Sequence, residues 1–331
     1  MSSILFKMAA KTDQGNVRGN NEDNFLISQN LADNKWFCPQ DPDQSIILSD
    51  NGCLLAVADG MGGMNAGEEA SKMAIEVIKE FFSSDKLPED NELIENYMKS
   101  AVVEADKRIK EKSDNDERYA GMGTTVVLAW IRRGKVHLTW CGDSRAYTYH
   151  PSLGLKQLSK DHSYVQELVD GGVISQDAAF DHPDNNIITR SLGDPNKAAD
   201  PDYLEHILHN DETLLLCSDG LNGELRDHEI KKIIEDNDVS LKSCCNTLID
   251  EALKAGGNDN VTIAICRIVE GLSDLDDSEK KDETSEPENS TFRATKVFVP
   301  QYLKWWKTAL LILIVLMGIA MFVWSIRMLS N

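Results

Sequence analysis

Short runs of apolar residues recur along residues 1–270, and residues that favour turns separate them. The runs cover residues 24–28, 52–59, 124–131, 135–142, 145–150, 213–218 and 261–269. Their length and their content of β-branched, leucine and aromatic side chains predict β-strands. Turns as short as residues 132–134 join neighbouring runs, and such short connections favour antiparallel pairing.

Three longer segments carry apolar residues at the spacing of a helix face. The stripes cover residues 70–81, 94–109 and 241–253, and two glycines, Gly256 and Gly257, follow the last stripe. Glycine just beyond an apolar stripe is a common helix end. Antiparallel sheets combined with separate amphipathic helices predict a layered α+β fold. No internal repeat or strong linker interrupts residues 1–270, which favours a single domain.

The C-terminal region has a different pattern. Residues 308–325, TALLILIVLMGIAMFVWS, contain no charged side chain. As a helix, this run and Ile326 would span about 28 Å, close to the ~30 Å core of a bilayer. Tryptophans lie near both ends, and four basic residues precede the run while only Arg327 follows it. We therefore expect one transmembrane helix over residues 304–327, a tail over 328–331 and a cytoplasmic catalytic domain. A buried core helix is the alternative.

Residues 271–303 connect the predicted domain to this helix. The stretch GLSDLDDSEKKDETSEPENS is acidic and nearly free of apolar side chains. A segment of this composition cannot bury enough apolar surface to offset the entropy lost on folding. We expect a disordered linker and a juxtamembrane segment here.

The net charge and the cysteines indicate which partners to exclude and which cellular compartment to expect. The 34 basic and 55 acidic side chains give a formal charge of −21, which repels nucleic acid, so nucleic acid is not an expected partner. The seven cysteines include no CxxC pair and several lie in apolar runs, which is typical of proteins in a reducing compartment. The N-terminal residues show no signal-peptide pattern.

Acidic residues stand where the predicted strands begin or end. They are Glu22, Asp23, Asp59, Asp143, Asp219 and Asp259. Each alone is explained by a turn or a helix cap. Together at one rim of a sandwich, they would repel one another and raise their own pKa values unless cations bind them. Oxygen ligands suit Mg²⁺ or Mn²⁺. Bare backbone at Gly60 would let its carbonyl approach a metal, while Gly62 and Gly63 turn the chain into a helix.

Seven motifs between residues 8 and 269 occur in the order seen in one enzyme family. They are TDQGNVRGNNEDNF, VADGMGGMNAGEEAS, GMGTT, CGDSRAY, LSKDHSYVQELVDGG, LLLCSDGL and GGNDNVT. On these motifs the chain resembles the metal-dependent type 2C serine/threonine protein phosphatases, the PPM family, of bacterial type. The resemblance implies a four-layer sandwich of two antiparallel sheets flanked by helices. It also implies Mn²⁺ or Mg²⁺ as cofactors, phosphoproteins as substrates, and a Ser/Thr kinase or its substrates as partners.

The resemblance implies a role for each residue of a two-metal site. Asp59 would bridge the two ions and act in catalysis. The carbonyl of Gly60 and the side chain of Glu22 would hold the second ion. Asp219 and Asp259 would hold the first ion.

Further residues complete the site that the resemblance implies. Asp143, with help from Asp219, would form a third-metal site. Arg18 would bind the substrate phosphate. Asp23 and Asn260 would support the ligands.

The chemistry of a two-metal site is consistent with these roles. Two ions about 4 Å apart can hold a bridging hydroxide and aim it in line at phosphorus. No covalent enzyme intermediate is then required, so neither Ser144 nor a cysteine is expected to act as nucleophile. Many eukaryotic relatives have histidine at the position of Met61, which has no proton to donate. His162 is the nearest substitute in the sequence, but a structural hydrogen-bonding histidine is the favoured interpretation.

Two other function classes stay open at the level of sequence. One is a catalytically silent relative that binds phosphoproteins as a sensor, although the complete set of acids disfavours it. The other is a phosphatase for a small phosphate ester. Residues 164 to 192 resemble the flap that covers the cleft in this family, and we expect substrate choice to depend on this segment.

Overall fold

Two antiparallel β-sheets lie at the centre of the protein. The computed structural model describes residues 3–36, 41–62, 66–84 and 86–273. The strands are β1 (Leu5–Asp13), β2 (Asn24–Ser28), β3 (Ile46–Ile47), β4 (Cys53–Ala58), β5 (Gly60–Met61), β6 (Gly123–Thr124), β7 (Val126–Arg132), β8 (Lys135–Cys141), β9 (Arg145–His150), β10 (Gly154–Gln157), β11 (Asp202–Ile207), β12 (Thr213–Cys217) and β13 (Val261–Glu270). One sheet has the strand order β10-β9-β12-β13-β1-β3, the other has the order β11-β8-β7-β4-β2, and β5 pairs with β6.

Helices cover the outer face of each sheet. The α-helices of the described residues are α1 (Ala66–Phe82), α2 (Asn91–Asn115), α3 (Tyr164–Asp170), α4 (Gln176–Phe180), α5 (Asp219–Asn222), α6 (Asp227–Asp236) and α7 (Leu241–Ala255). Apolar side chains of α1 and α2 pack on the five-stranded sheet, and those of α5, α6 and α7 pack on the six-stranded sheet. The order of layers is therefore helix, sheet, sheet, helix, as the family resemblance implies.

The alternation of side chains along the central strands explains why each sheet is buried on both faces. In β4, Cys53, Leu55 and Val57 point into the core between the sheets. The intervening residues of β4 point into the core beneath α1 and α2. Because successive side chains of a strand face opposite sides, a continuous apolar run buries both faces. Full burial of each leucine or valine contributes about 1.5–3 kcal/mol.

The predicted elements are present, and the structure adds others. All seven predicted strand runs contain strands, and the three predicted stripes lie in α1, α2 and α7. The elements that were not predicted include β1 and α6. β1 pairs along its whole length with β13, and α6 covers residues 227–236. The six cysteines in the described ranges are buried and form no disulfide; Cys38 lies outside those ranges.

The predicted C-terminal segments lie outside the described residues, apart from positions 271–273. These segments are the linker over 271–303, the transmembrane helix over 304–327 and the tail over 328–331. Across the ranges that the structure describes, no helix has the length and apolar character needed to span a bilayer.

Candidate active site

Strand register brings the predicted acids to one rim of the sandwich. The end of β4 lies beside the start of β2, and the end of β12 lies beside the start of β13. Consequently Asp59 follows β4 near Glu22 and Asp23, which precede β2. In the same way Asp219 follows β12 near Asp259, which precedes β13. We call this cluster the acidic rim; it also includes Asp143, whose charge acts on Asp59.

The carboxyl groups of Asp59 and Asp219 lie close enough that each changes the pKa of the other. Burial raises the pKa of Asp59 well above its usual range, and repulsion from Asp23, Asp219 and Asp143 raises it further. The pKa of Asp219 is raised to about 6, first by burial and then by repulsion from Asp259. Two carboxyl groups this close cannot both ionise at low cost unless a cation compensates them.

Asp23 lies behind this pair, inside the sandwich. The Ser218 hydroxyl donates a 2.7 Å hydrogen bond to its Oδ2, and burial raises the pKa of Asp23 to about 8. The Oδ1 atoms of Asp23 and Asp219 are buried and meet no hydrogen-bond partner among the described residues. A buried polar oxygen without a partner is destabilising. A bound proton or cation would stabilise each of these atoms.

The acidic rim fits a divalent cation on these observations. A cation would satisfy the unpaired Oδ1 of Asp219 and would offset the repulsion between Asp219 and Asp59. Among residues 3–36, 41–62, 66–84 and 86–273, no three His, Cys, Asp or Glu side chains form a group that could hold a metal ion by themselves. Asp219 interacts with both Asp59 and Asp259.

Gly60 occupies a position with no room for a side chain. A Cβ atom at Gly60 would lie 2.2 Å from the carbonyl oxygen of Gly67 and 2.5 Å from that of Glu22. A Cβ atom at Gly67 would lie 2.6 Å from Oε2 of Glu22. Protein backbone fills the space at the Cβ position of Gly60, which is a reason for glycine here besides the predicted approach of its carbonyl to a metal. The two glycines let the start of α1 and the Glu22 carboxylate pack directly against the residue that follows Asp59.

Asn260 fixes the loop that carries Arg18 and Glu22. Its side chain is buried, and its Oδ1 accepts a 2.7 Å hydrogen bond from the backbone N–H of Glu22. Its Nδ2 donates to the carbonyls of Gln14 at 2.7 Å and of Asn20 at 2.9 Å. One side chain thus holds three points of the loop, which gives the supporting role predicted for Asn260 a physical basis.

Arg18 lies at the edge of the acidic rim, with 53% of its side chain exposed. Its Nη2 donates a 2.5 Å hydrogen bond to Oδ2 of Asp259. That hydrogen bond, together with the charges of Asp259, Asp219 and Asp59, raises the pKa of Arg18. The guanidinium is therefore charged, close to the acids and open to solvent, where it can meet an anionic ligand. The sequence analysis does not foresee its ion pair with Asp259.

Asp143 is buried, and a second arginine accompanies it. Burial raises the pKa of Asp143, repulsion from Asp219 and Asp161 adds to this, and Arg145 opposes it. Arg145 donates to both carboxylate oxygens of Asp161, with distances of 3.0 Å from Nε and 2.7 Å from Nη2. The pair of Arg145 with Asp161 is not among the sequence predictions, because the two residues are 16 positions apart and no local spacing links them.

His162 makes structural contacts, as its favoured interpretation expects. Its Nδ1 accepts a 3.1 Å hydrogen bond from the Gly142 backbone, and its Nε2 lies 3.2 Å from the Asp202 carboxylate. Its ring stacks on Trp140 with 6.2 Å between centroids. Both ring nitrogens are engaged within the protein, and burial lowers the pKa of His162.

A cleft of about 620 Å³ opens beside the acidic rim. Asp143, Asp219 and Asp259 line one side of it. The other side is formed by residues 164–192, which include α3 and α4 and which we call the flap. Val165 and Phe180 of the flap line the cleft. The acids therefore lie at a recess that is large enough for a peptide side chain carrying a phosphate group.

Comparisons with known proteins match this arrangement. The family model described as Protein phosphatase 2C matches residues 15–261. The serine/threonine phosphatase stp of Listeria monocytogenes serotype 4b is 33% identical over 255 residues, which are 77% of this chain and 93% of that protein. The crystal structure of serine/threonine phosphatase Stp1 from Staphylococcus aureus matches with a TM-score of 0.68 and 33% identity, covering 80% of this chain and 95% of that one.

A third comparison concerns a metal-bound relative. The catalytic domain of the serine/threonine protein phosphatase PstP, solved in complex with two manganese ions, matches with a TM-score of 0.65 and 29% identity over 81% of this chain and 100% of that one. The family match includes Arg18, the acidic rim and Asn260. The chain therefore belongs to the protein phosphatase 2C family and is a protein serine/threonine phosphatase.

Proposed function

We propose that this protein hydrolyses phosphoserine and phosphothreonine in proteins with two Mn²⁺ or Mg²⁺ ions bound at the acidic rim. The proximity of Asp59 and Asp219 carries the proposal, because the fold places two buried carboxyl groups next to each other. One of them has an oxygen without a partner in the described structure. A divalent cation stabilises such an arrangement, and the relative PstP was solved with two manganese ions.

We assign the metal ligands to the groups at the rim. They are Glu22, Asp59, the carbonyl of Gly60, Asp219 and Asp259, and Asp143 joins Asp219 in a third site. When bound, the ions make a water molecule acidic enough at neutral pH to attack phosphorus. Asp23 and Asn260 support this set, since Asp23 lies behind the Asp59 and Asp219 pair and Asn260 fixes the backbone at Glu22.

Arg18 binds the phosphate group of the substrate. Its guanidinium is planar and can donate two parallel hydrogen bonds to two phosphate oxygens. It is half-exposed at the edge of the acidic rim, beside Asp259. Negative charge that develops on phosphate oxygens during hydrolysis is offset by the same group.

The location of the enzyme is a separate part of the proposal and is supported by the sequence pattern. Residues 304–327 anchor the chain in a membrane as a single helix, and residues 271–303 form a flexible connection. The catalytic domain of residues 1–270 lies on the cytoplasmic side, where basic residues precede the helix. A membrane-bound Ser/Thr kinase or its substrates would then be the phosphoproteins within reach.

A substrate panel tests the proposed activity. The full chain is assayed on phosphothreonine and phosphoserine peptides and on p-nitrophenyl phosphate, with Mn²⁺ or with EDTA. Hydrolysis of both peptides that requires Mn²⁺ supports the proposal. Hydrolysis of the small ester without any peptide turnover would indicate a small-ester phosphatase, and peptide binding without turnover would indicate a sensor.

A further inference from the structure

Arg226 makes three contacts with one short helix of the flap. Its Nη1 donates a 2.9 Å hydrogen bond to Oδ1 of Asp177, and its Nη2 donates a 2.7 Å hydrogen bond to Oδ2 of Asp181. Its guanidinium carbon lies 4.2 Å from the centroid of the Phe180 ring. The two acids and the ring lie within and just beyond α4, so a single side chain holds that helix from one side.

Arg226 stands at a helix position where arginine is not preferred, which points to a role for its side chain outside its own helix. Arg226 occupies the N-cap of α6, where Ser, Thr, Asp and Asn are preferred because their side chains accept hydrogen bonds from the helix. Arginine has no acceptor atom, and its side chain makes no cap hydrogen bond. Glu229 instead accepts from the Arg226 backbone N–H at 2.8 Å. The Arg226 side chain is therefore directed to the flap rather than to its own helix.

The flap has few other buried contacts that would fix α4. In α3 and α4 the buried side chains are those of Val165 and Ala179. Val173, between the two helices, is 69% exposed, and Ile187 is 47% exposed. Single surface ion pairs contribute little, but two hydrogen bonds and a ring contact from one planar guanidinium act together.

Arg226 and α4 also line the cleft that contains the acids. Asp177, Phe180 and Arg226 face the same 620 Å³ space as Asp143 and Asp219. A displacement of α4 therefore changes the width of the cleft without touching the acids. We propose that Arg226 is a positioning residue that holds the flap in place and thereby sets the affinity for phosphopeptides. This inference rests on the proposed function.

Substrates of different size distinguish a positioning role of Arg226 from a role in the reaction itself. A peptide extends from the acidic rim along the cleft and contacts the flap. The small ester p-nitrophenyl phosphate reaches the acids without needing the flap. Loss of the Arg226 contacts is therefore expected to raise KM for peptides while the turnover of the small ester stays as it was.

The experiment measures kcat and KM of the full chain at saturating Mn²⁺ for both substrates. Arg226→Ala is expected to raise KM for a phosphothreonine peptide at least fivefold, with kcat within twofold, and to leave both constants for p-nitrophenyl phosphate within twofold. Arg226→Lys, which keeps the charge but loses the planar fork, should lie in between. The matched control is Arg118→Ala: Arg118 also pairs with a carboxylate, Asp116, at 2.5 Å and lies over a ring, Tyr119.

Two further measurements test whether Arg226 acts through the flap. Asp177→Asn/Asp181→Asn should raise the peptide KM as Arg226→Ala does, and combining the changes should add nothing more. Hydrogen exchange at the amides of Ala178 and Ala179 should accelerate in Arg226→Ala but not in Arg118→Ala.

Several outcomes would overturn the inference. A raised KM in Arg226→Ala that Asp177→Asn/Asp181→Asn does not reproduce would mean that Arg226 contacts the peptide directly. Equal losses on both substrates, or unchanged hydrogen exchange in α4, would also overturn it. If the unmodified chain hydrolyses p-nitrophenyl phosphate but no phosphopeptide, the proposed function itself has failed, and this result is distinct from the others.

Discussion

The Nη2 atom of Arg18 lies 2.5 Å from Oδ2 of Asp259, although Arg18 is proposed to bind phosphate and Asp259 to bind a metal ion. The two side chains are 241 positions apart in the sequence, and both lie at the acidic rim. The residue proposed to bind phosphate therefore contacts a proposed metal ligand directly. Arg18 competes with any other cation for Oδ2 of Asp259.

Arg18 variants test this relationship. Arg18→Lys should lower kcat/KM at least tenfold, about 1.4 kcal/mol, for both a phosphothreonine peptide and p-nitrophenyl phosphate, because both present the same phosphate to the guanidinium. Arg18→Ala should bind Mn²⁺ no more weakly than the unmodified chain by calorimetry, since a competing cation is removed. A loss confined to the peptide, or weaker Mn²⁺ binding, would contradict these roles.

Removing a rim carboxylate should abolish activity but not folding. Asp59→Asn and Asp259→Asn are each expected to reduce Mn²⁺-dependent kcat to less than about a tenth, at least ~1.4 kcal/mol of barrier. Melting temperatures in EDTA should not fall, because each change removes a negative charge from a repelling cluster. Retention of more than a tenth of kcat by either variant would show that the two-metal assignment is wrong.

Asp143 is expected to matter most for poor leaving groups. Met61 cannot donate a proton, and a serine or threonine alkoxide needs one, whereas nitrophenolate leaves readily without it. Asp143→Ala should therefore lower kcat/KM for a phosphothreonine peptide at least tenfold more than for p-nitrophenyl phosphate. Equal losses would indicate a general role in metal retention or folding, and His162→Ala would then be the variant to test.

Membrane attachment is tested by extraction. The full chain should sediment with membranes and resist both high salt and carbonate, because a spanning helix is held by apolar burial rather than by charge. A chain ending at Glu288 should be soluble, with peptide kcat/KM within twofold of the full chain. Release of the full chain by carbonate, or loss of peptide activity on truncation, would contradict the proposed anchor.

The stability of the fold should depend on pH through His137. Burial lowers the pKa of His137 below 6.5, and its Nδ1 lies 2.8 Å from the Tyr203 hydroxyl. The unfolded chain then takes up a proton at higher pH than the folded chain. Stability that is present above pH 6.5 is lost as the pH falls through 6.5 toward the folded pKa.

The measurement is the free energy of unfolding in urea between about pH 7.5 and 5.5. As the pH falls, the unmodified chain should lose stability relative to His137→Gln, whatever direction the buried acids of the rim, whose pKa values are raised, give to the stability of both chains. An identical dependence in His137→Gln would show that His137 stays neutral in both states.

The sequence by itself determined many of the strands and helices and the set of acidic residues offered to the site. Strands such as β4 and β13 follow from local apolar runs, and α1, α2 and α7 follow from helical spacing, because both periodicities are set by neighbouring residues. The acids at strand ends were visible as a set. Their convergence was predictable because antiparallel neighbours place the end of one strand beside the start of the next.

Only the tertiary structure decided the contacts between distant residues and the elements that depend on them. β1 has a weak apolar pattern and is a strand because β13 and β3 pair with it. The pairs Arg145 with Asp161 and Arg226 with Asp181 join residues 16 and 45 positions apart, and Asn260 reaches back 240 positions to Asn20. Periodicity describes neighbours along the chain, whereas the partner of a charged side chain depends on which surfaces the packed layers bring together.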